Sequence, residues 1–304
     1  MNIINPITIT AAMIGGGTSL AEDPTTAWVS GTTYAVGDER HVIAQHRVYK
    51  CAVAGVSSIS PELTPTVWTN MRPTNKWAPF DIYTSTAAAT VTTMTYVLTP
   101  GYFNALALYG LAGSQYSLSI KDVSGGTVIY TRSGYLYADS VGWYEYLFGG
   151  VKVISKLVFT DIPIRPASEI TLTITAATGE AVGLGLIAVG DYVSLSGAGT
   201  WGGAQYGASA EPVTYSYIKT ADDGTITVIK RHAATNLRVT IALPREEADA
   251  VLQSMQNVLD VPVAWIATDA AGYAGLTTFG LGSGAMKYDG FGHANFEINV
   301  KGLV

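Results

Sequence analysis

The sequence predicts a mainly β protein: a small N-terminal β module, a central β-sandwich or jelly roll, and a C-terminal β domain carrying one α-helix. Three observations lead there. Short runs rich in Val, Ile, Thr and Tyr recur at close spacing, divided by Gly, Pro, Asn and Asp. Only the segment from Pro244 to Asp260 repeats its apolar residues at helical spacing over several turns. A chain of 304 residues is also longer than one ordinary domain, so two or three units are expected.

Residues 1–25 read as an extended arm, with Gly15, Gly16 and Gly17 as a flexible joint ahead of "AEDPTT". Residues 26–72 form the small module. Its runs "RHVI" and "RVYKCAV" are strand-like and are separated by "AQH"; Pro61 and Pro65 break the chain before "VWTN". Residues 73–200 open with "RPTNKWAPFD", a connector stiffened by Pro73 and Pro79, with Trp77 and Phe80 as anchors. Then come "TMTYVLTPG", "QYSLSIKD", "GTVIYTRSG", "KLVFTDIPI" and "EITLTITA", with "DVSGGTV" as a hairpin loop. Strands without helices between them imply sheets packed face to face.

Residues 201–304 start with a hairpin, "TYSYIKTADDGTITVIKRH", whose tip holds Asp223-Gly224, and continue with the strand "LRVTIAL". In the predicted helix Pro244 suits the first turn, and Glu246, Glu247 and Asp249 suit the positive end of its dipole. Ala248, Val251, Leu252, Met255, Val258 and Leu259 share one face, and Pro262 stops the helix. "PVAWIATD", "AGLTTFGLG" and "HANFEINVKGL" return to strand.

Composition narrows the function. A net charge of −6 argues against a nucleic-acid surface, which needs clustered Lys and Arg. Only 13% of residues are charged, against about 25% in a typical soluble domain. Such a chain carries much uncharged surface, which points to burial against copies of itself or other proteins, with a secreted, Thr-rich and charge-poor β protein as the other reading. The single cysteine, Cys51, allows no intramolecular disulfide. "MNIINPITIT" has no basic region ahead of its apolar residues, so no signal peptide is expected. The longest apolar run, "AVGLGLIAVG", is too short to span a membrane.

No catalytic, cofactor or metal residue emerges. No G-x-S-x-G elbow occurs. "GAGTWG", Gly197 to Gly202, has dinucleotide-loop spacing but no helix after it to meet a pyrophosphate, so it reads as an interdomain turn. His41 and His46 have no Cys or acidic ligand at useful spacing and read as exposed polar residues. Asp222 and Asp223 fit a hairpin tip better than a calcium loop. Paired carboxylates for glycoside hydrolysis meet only in space, and that option stays open.

Trp28, Gly31, Tyr34, Gly37-Asp38, Val42, Tyr49, Cys51, Pro61 and Trp68 follow one another as in the chitin-binding-type carbohydrate-binding modules of families 5 and 12, which this stretch resembles. The resemblance implies a small β fold and a sugar stacked on exposed aromatics. Tyr34, Tyr49 and Trp68 are the candidate glycan-contacting residues, with a place in the module core as the other reading. Where the family often carries a Trp pair, this chain has "YKCAVAGVSS". "PTNKWAPFD", "ALALYGLAGSQYSLSI", "GEAVGLGLIAVG", "TYSYIKTADDGT" and "IKRHAATNLRV" resemble tailed-bacteriophage virion proteins carrying such a module, and the last domain is similar in outline to tail-tube and hub-type modules. The resemblance implies a non-enzymatic tail-tip, baseplate or fibre-attachment subunit in the virion, partnered by itself and by other tail proteins. The alternative it leaves is a carbohydrate-binding protein that adsorbs to host surface polysaccharide.

Overall fold

The computed structural model describes residues 1–137, 142–149, 153–196, 201–220, 222–268, 270 and 272–303. The chain begins with β1 (Asn2–Pro6). The small module holds β2 (Thr32–Tyr34), β3 (Glu39–Val42), β4 (Arg47–Cys51), β5 (Gly55–Ser57) and β6 (Trp68–Pro73). Then follow β7 (Ala88–Val91), β8 (Thr93–Leu98), β9 (Ala105–Tyr109), β10 (Gln115–Lys121) and β11 (Val128–Tyr135). A short helix α1 (Trp143–Phe148) precedes β12 (Lys156–Phe159), β13 (Glu169–Thr175), β14 (Ala181–Leu184) and β15 (Leu186–Ser194). The last third contains β16 (Gly203–Ala204), β17 (Ser209–Thr214), β18 (Tyr217–Thr220), β19 (Ile226–Ile229) and β20 (Ala233–Pro244). It ends with α2 (Ala248–Gln256), β21 (Val263–Ile266), β22 (Thr277–Lys287) and β23 (His293–Gly302). The protein is mainly β, as its strand-length runs predict.

A ten-stranded sheet organises the molecule, in the order β12-β9-β15-β1-β21-β22-β23-β20-β16, with β17 also paired to β20. It curls into a half-barrel. A four-stranded sheet, β11-β10-β13-β8, packs on one end of it. The alternation of strands fixes which residues meet which layer. Along β15, Ile187 and Val189 face the four-stranded sheet, where they join Met94, Tyr96, Leu118 and Leu172. Further along the same face, Val193 meets a second core beneath α2, built on Trp265, Phe296, Val251 and Met255. The opposite face, with Ile4, Ala107, Leu186, Ala188, Ile266 and Phe279, is a third core. Burial on both faces explains why "ALALY" and "LIAVG" read as continuous apolar runs rather than alternating ones.

Two boundaries expected from the sequence are corrected. Residues 1–25 are not a free arm. β1 lies between β15 and β21, with Ile3 opposite both Val193 and Trp265, and Ile3 and Ile4 are fully buried. The glycine run is a close approach rather than a joint. Gly15 N–H donates to Val97 O at 2.8 Å, and a Cβ on Gly15 would lie 2.8 Å from Val97 Cγ1. The division at residue 200 does not separate two sheets, because strands from both sides of it share the large sheet. Residues 197–200 of the Gly197–Gly202 turn lie outside the described residues.

The predicted helix is also shorter than expected. Pro244 ends β20, Arg245–Glu247 form a 3-10 turn, and α2 covers Ala248–Gln256. Ala248, Val251, Met255 and Val258 are buried, whereas Leu252 is half-buried and Leu259 is exposed. The apolar face is therefore narrower than the spacing implies. The helix α1, with exposed Trp143, Tyr144, Leu147 and Phe148, was not anticipated.

Candidate functional site

The small module pairs β3-β4-β6 in one sheet and β2-β5 in another. Its core is Tyr34, Val42, Tyr49, Cys51 and Trp68, with Trp28 and Val67 packed against it. Tyr34 and Trp68 meet edge to face, ring centroids 5.1 Å apart. The Tyr34 hydroxyl donates to Val29 O at 2.9 Å and accepts from Val29 N–H at 2.8 Å. Arg40 lies over the Tyr34 ring, 5.3 Å from its centroid. The indole N–H groups of Trp28 and Trp68 both donate to Ser57 Oγ at 3.2 Å, and Ser57 in turn donates to Ile59 O. One buried serine therefore satisfies two tryptophans. Burial, with Glu62 nearby, raises the Tyr49 phenol above its ordinary pKa.

This geometry favours the second reading of the three candidate residues, a place in the module core. Tyr34, Tyr49 and Trp68 are 3%, 6% and 1% exposed, so none offers a ring face to a sugar. The structure brings the three together as packing. The module surface carries aliphatic Val29, Val36, Val53, Val56 and Leu63 instead, with Val53 and Val56 in the stretch "YKCAVAGVSS".

The module is locked to the body through a junction whose aromatic part, Trp77 and Phe80, the sequence predicts as anchors, and whose polar part it does not reveal. The Asp23 carboxylate accepts from Arg72 (2.7 and 3.2 Å), from the Asn75 amide (2.9 Å), and from the Thr25 amide and hydroxyl (3.0 and 2.8 Å). Burial pushes its pKa up, but the bonds from Arg72, Thr25 and Asn75 outweigh burial and hold it below the usual carboxylate value. Glu22 accepts from Thr74 Oγ1 at 2.8 Å and pairs with His46 Nδ1 at 2.7 Å. His46 stacks on Trp77 at 4.0 Å, Trp77 meets Phe80 at 5.8 Å, and Phe80 meets Tyr96 of the body core at 5.7 Å. Asn75 exchanges two hydrogen bonds with the backbone of Ala89 at the edge of the body. His41 is buried, its Nδ1 3.4 Å from Thr25 Oγ1, and His46 is half-buried, so neither is the exposed polar residue predicted. Nothing local in the sequence joins Glu22 and Asp23 to the connector "RPTN" about fifty residues later.

A second feature stands off the body. β17 and β20 continue outward as the hairpin β18–β19, pairing Tyr217 with Ile229 and Ile218 with Val228. Thr225 N–H and Oγ1–H both donate to Asp223 at the tip, as the Asp223-Gly224 pair predicts. At the neck, Tyr215 N–H donates to His232 O and Arg231 N–H to Ser216 Oγ. Tyr215, Tyr217, Ile218, Ile226, Val228 and Ile229 are 42–65% exposed. Directly opposed pairs share a face, so one face carries Tyr217 and Ile229 and the other Ile218 and Val228. Neither face is covered.

Among the described residues, no three His, Cys, Asp or Glu side chains group as metal ligands, and no helix is long and apolar enough to cross a membrane. No family model matches the chain, and comparison with curated proteins and with solved structures gave no match.

Proposed function

We propose that the chain is a structural subunit of a bacteriophage tail, a tail-tip, baseplate or fibre-attachment component in the virion that works as an oligomer and has no chemistry of its own. The observation that carries the assembly part of this reading is the β18–β19 hairpin. A two-stranded hairpin is marginal alone in water, and this one exposes five large apolar side chains, Tyr217, Ile218, Ile226, Val228 and Ile229, on two uncovered faces. A neighbouring subunit of the same chain supplies the missing layer. The low charge supports the same reading. The tail context itself rests on the sequence resemblance. In this reading the small module keeps the carbohydrate-binding-type fold as a docking wedge, presenting aliphatic surface to other tail proteins. The burial of Tyr34, Tyr49 and Trp68 in the module core supports this reading over the carbohydrate-binding alternative.

The test replaces residues 217–229 with a Gly-Gly turn and compares the two proteins by native mass spectrometry and light scattering. The intact chain should form a defined oligomer and the variant should be a folded monomer. A monomeric intact chain at high concentration, or an oligomer unchanged by the replacement, would overturn the assembly role of the hairpin.

A further inference from the structure

We infer that the cavity at the end of β1 is a binding site for an organic ammonium group, a primary amine carried on a short apolar chain, with Asp81 as its counter-ion. The inference is independent of the assembly reading.

The large sheet opens where β1 stops. Its register with β15 ends at Pro6, and one further bond, Ile7 N–H to Val189 O at 2.8 Å, closes the ladder. β21, on the other side of β1, starts only at Val263. The gap holds a cavity of about 240 Å³. Ile7, Ile9, Leu186, Pro262 and Phe279 give it apolar walls. Ile82 and Val261, both exposed, carry the apolar surface to its mouth. The volume is smaller than a drug-sized pocket and matches a group the size of one side chain.

Asp81 is the one charged residue in that lining, and it is half-buried. Two donors hold its carboxylate in place: Tyr83 N–H to Oδ1 at 2.8 Å, and Thr86 Oγ1–H to Oδ2 at 2.5 Å. Each oxygen keeps acceptor capacity beyond those bonds. Asp81 takes part in none of the ion pairs among the described residues. Burial is the largest influence on its carboxyl and raises the pKa, against the two hydrogen bonds and the more distant charge of Arg47. A carboxylate so placed gains most from a cation that brings its own donors. A second acceptor faces the same gap. Val189 O points to the β1 edge of β15, so the C=O of Ile187, two residues earlier and in the lining, points to the edge that β1 has left. A carboxylate and a carbonyl beside apolar walls match an ammonium, with three N–H donors, on a hydrocarbon stem.

Titration calorimetry on the intact chain at neutral pH tests this. Pentylammonium chloride is the cation probe and 1-pentanol its neutral counterpart. A blocked isoleucyl-lysine amide presents the same group as a side chain. Sodium chloride matches the ionic strength. The ammonium should bind saturably, at one site per chain, and about tenfold or more tighter than the alcohol. Asp81→Asn should lose that preference while keeping the weaker binding of the alcohol. Tighter binding of the peptide than of the free amine identifies a lysine side chain as the source, and the reverse order identifies a small amine. The proposal is overturned if neither cation binds saturably, if ammonium and alcohol bind the parent equally, or if folded Asp81→Asn keeps the preference. The comparison on the parent chain decides even where the variant does not fold.

Discussion

At the scale of single residues, partners decide roles that residue type leaves open. Trp68 and Tyr34 have the chemistry of a sugar platform, but Ser57, Val29 and Arg40 use their polar and π surfaces inward. Asp23 is the reverse case: unremarked in sequence, it accepts five hydrogen bonds where the first residues, the module and the connector meet. Its folded pKa is held below the unfolded value. A carboxylate shifted in that direction contributes stability above its unfolded pKa, near 4, and the contribution fades as pH falls through the lower folded value. Asp23→Asn should therefore cost about 1–3 kcal/mol at neutral pH. The gap between parent and variant should shrink below about pH 4. Urea unfolding at neutral and acid pH checks both. A gap that stays constant down to pH 2 would mean that the ionised Asp23 is not what holds the junction.

At the scale of elements, the helix shows how far periodicity reaches. Its spacing gives one apolar face, and Val251 and Met255 do pack on Trp265 and Phe296. The same spacing also assigns Leu259 to that face, yet α2 ends at Gln256 and the chain turns away. Met255→Ala should cost about 2–5 kcal/mol, and Leu259→Ala should stay within about 0.5 kcal/mol of the parent. Comparable losses at both positions in equilibrium unfolding would put Leu259 back in the core. Strands were legible where one face is wet: "TMTYVL", "QYSLSIK" and "EITLTIT" alternate because only one side meets the first core. The partnership of β9 and β15 was not, since a run buried on both faces carries no period. Sheet order was illegible too. Trp265 covers Gly282 so closely that a Cβ there would lie 2.1 Å from its ring, a contact between β21 and β22 that residue types alone do not announce. The candidate site was half legible: the module pattern located its aromatic core, but whether those rings face sugar or protein depends on burial, which the pattern does not encode.

At the scale of the whole molecule, β1 is the element on which the others depend. It is five residues long, contains a proline, and begins at the second residue, so no local signal marks it as central. Its partners, β15 and β21, come from the middle and the last fifth of the chain. Without it, the β12-β9-β15 end of the large sheet and the β21-β22-β23-β20 end would share no strand. Ile3 fills the core beneath α2 and Ile4 the core on the opposite face, so one strand joins two of the three body cores. Deleting residues 1–6 should then behave as removal of a core strand rather than the trimming of a loose end. Two buried isoleucines alone represent roughly 4–10 kcal/mol on the scale of large-to-alanine losses, comparable to the whole stability of a typical domain. The truncated chain should unfold or aggregate at 25 °C, and amide exchange in Val189–Val193 and Val263–Ile266 should lose its protection. In the full chain, those amides and the ones of β9 should exchange only through global opening. A truncated protein that melts cooperatively near the parental temperature would show that the two ends of the sheet close on each other without β1, and that the first residues are dispensable after all.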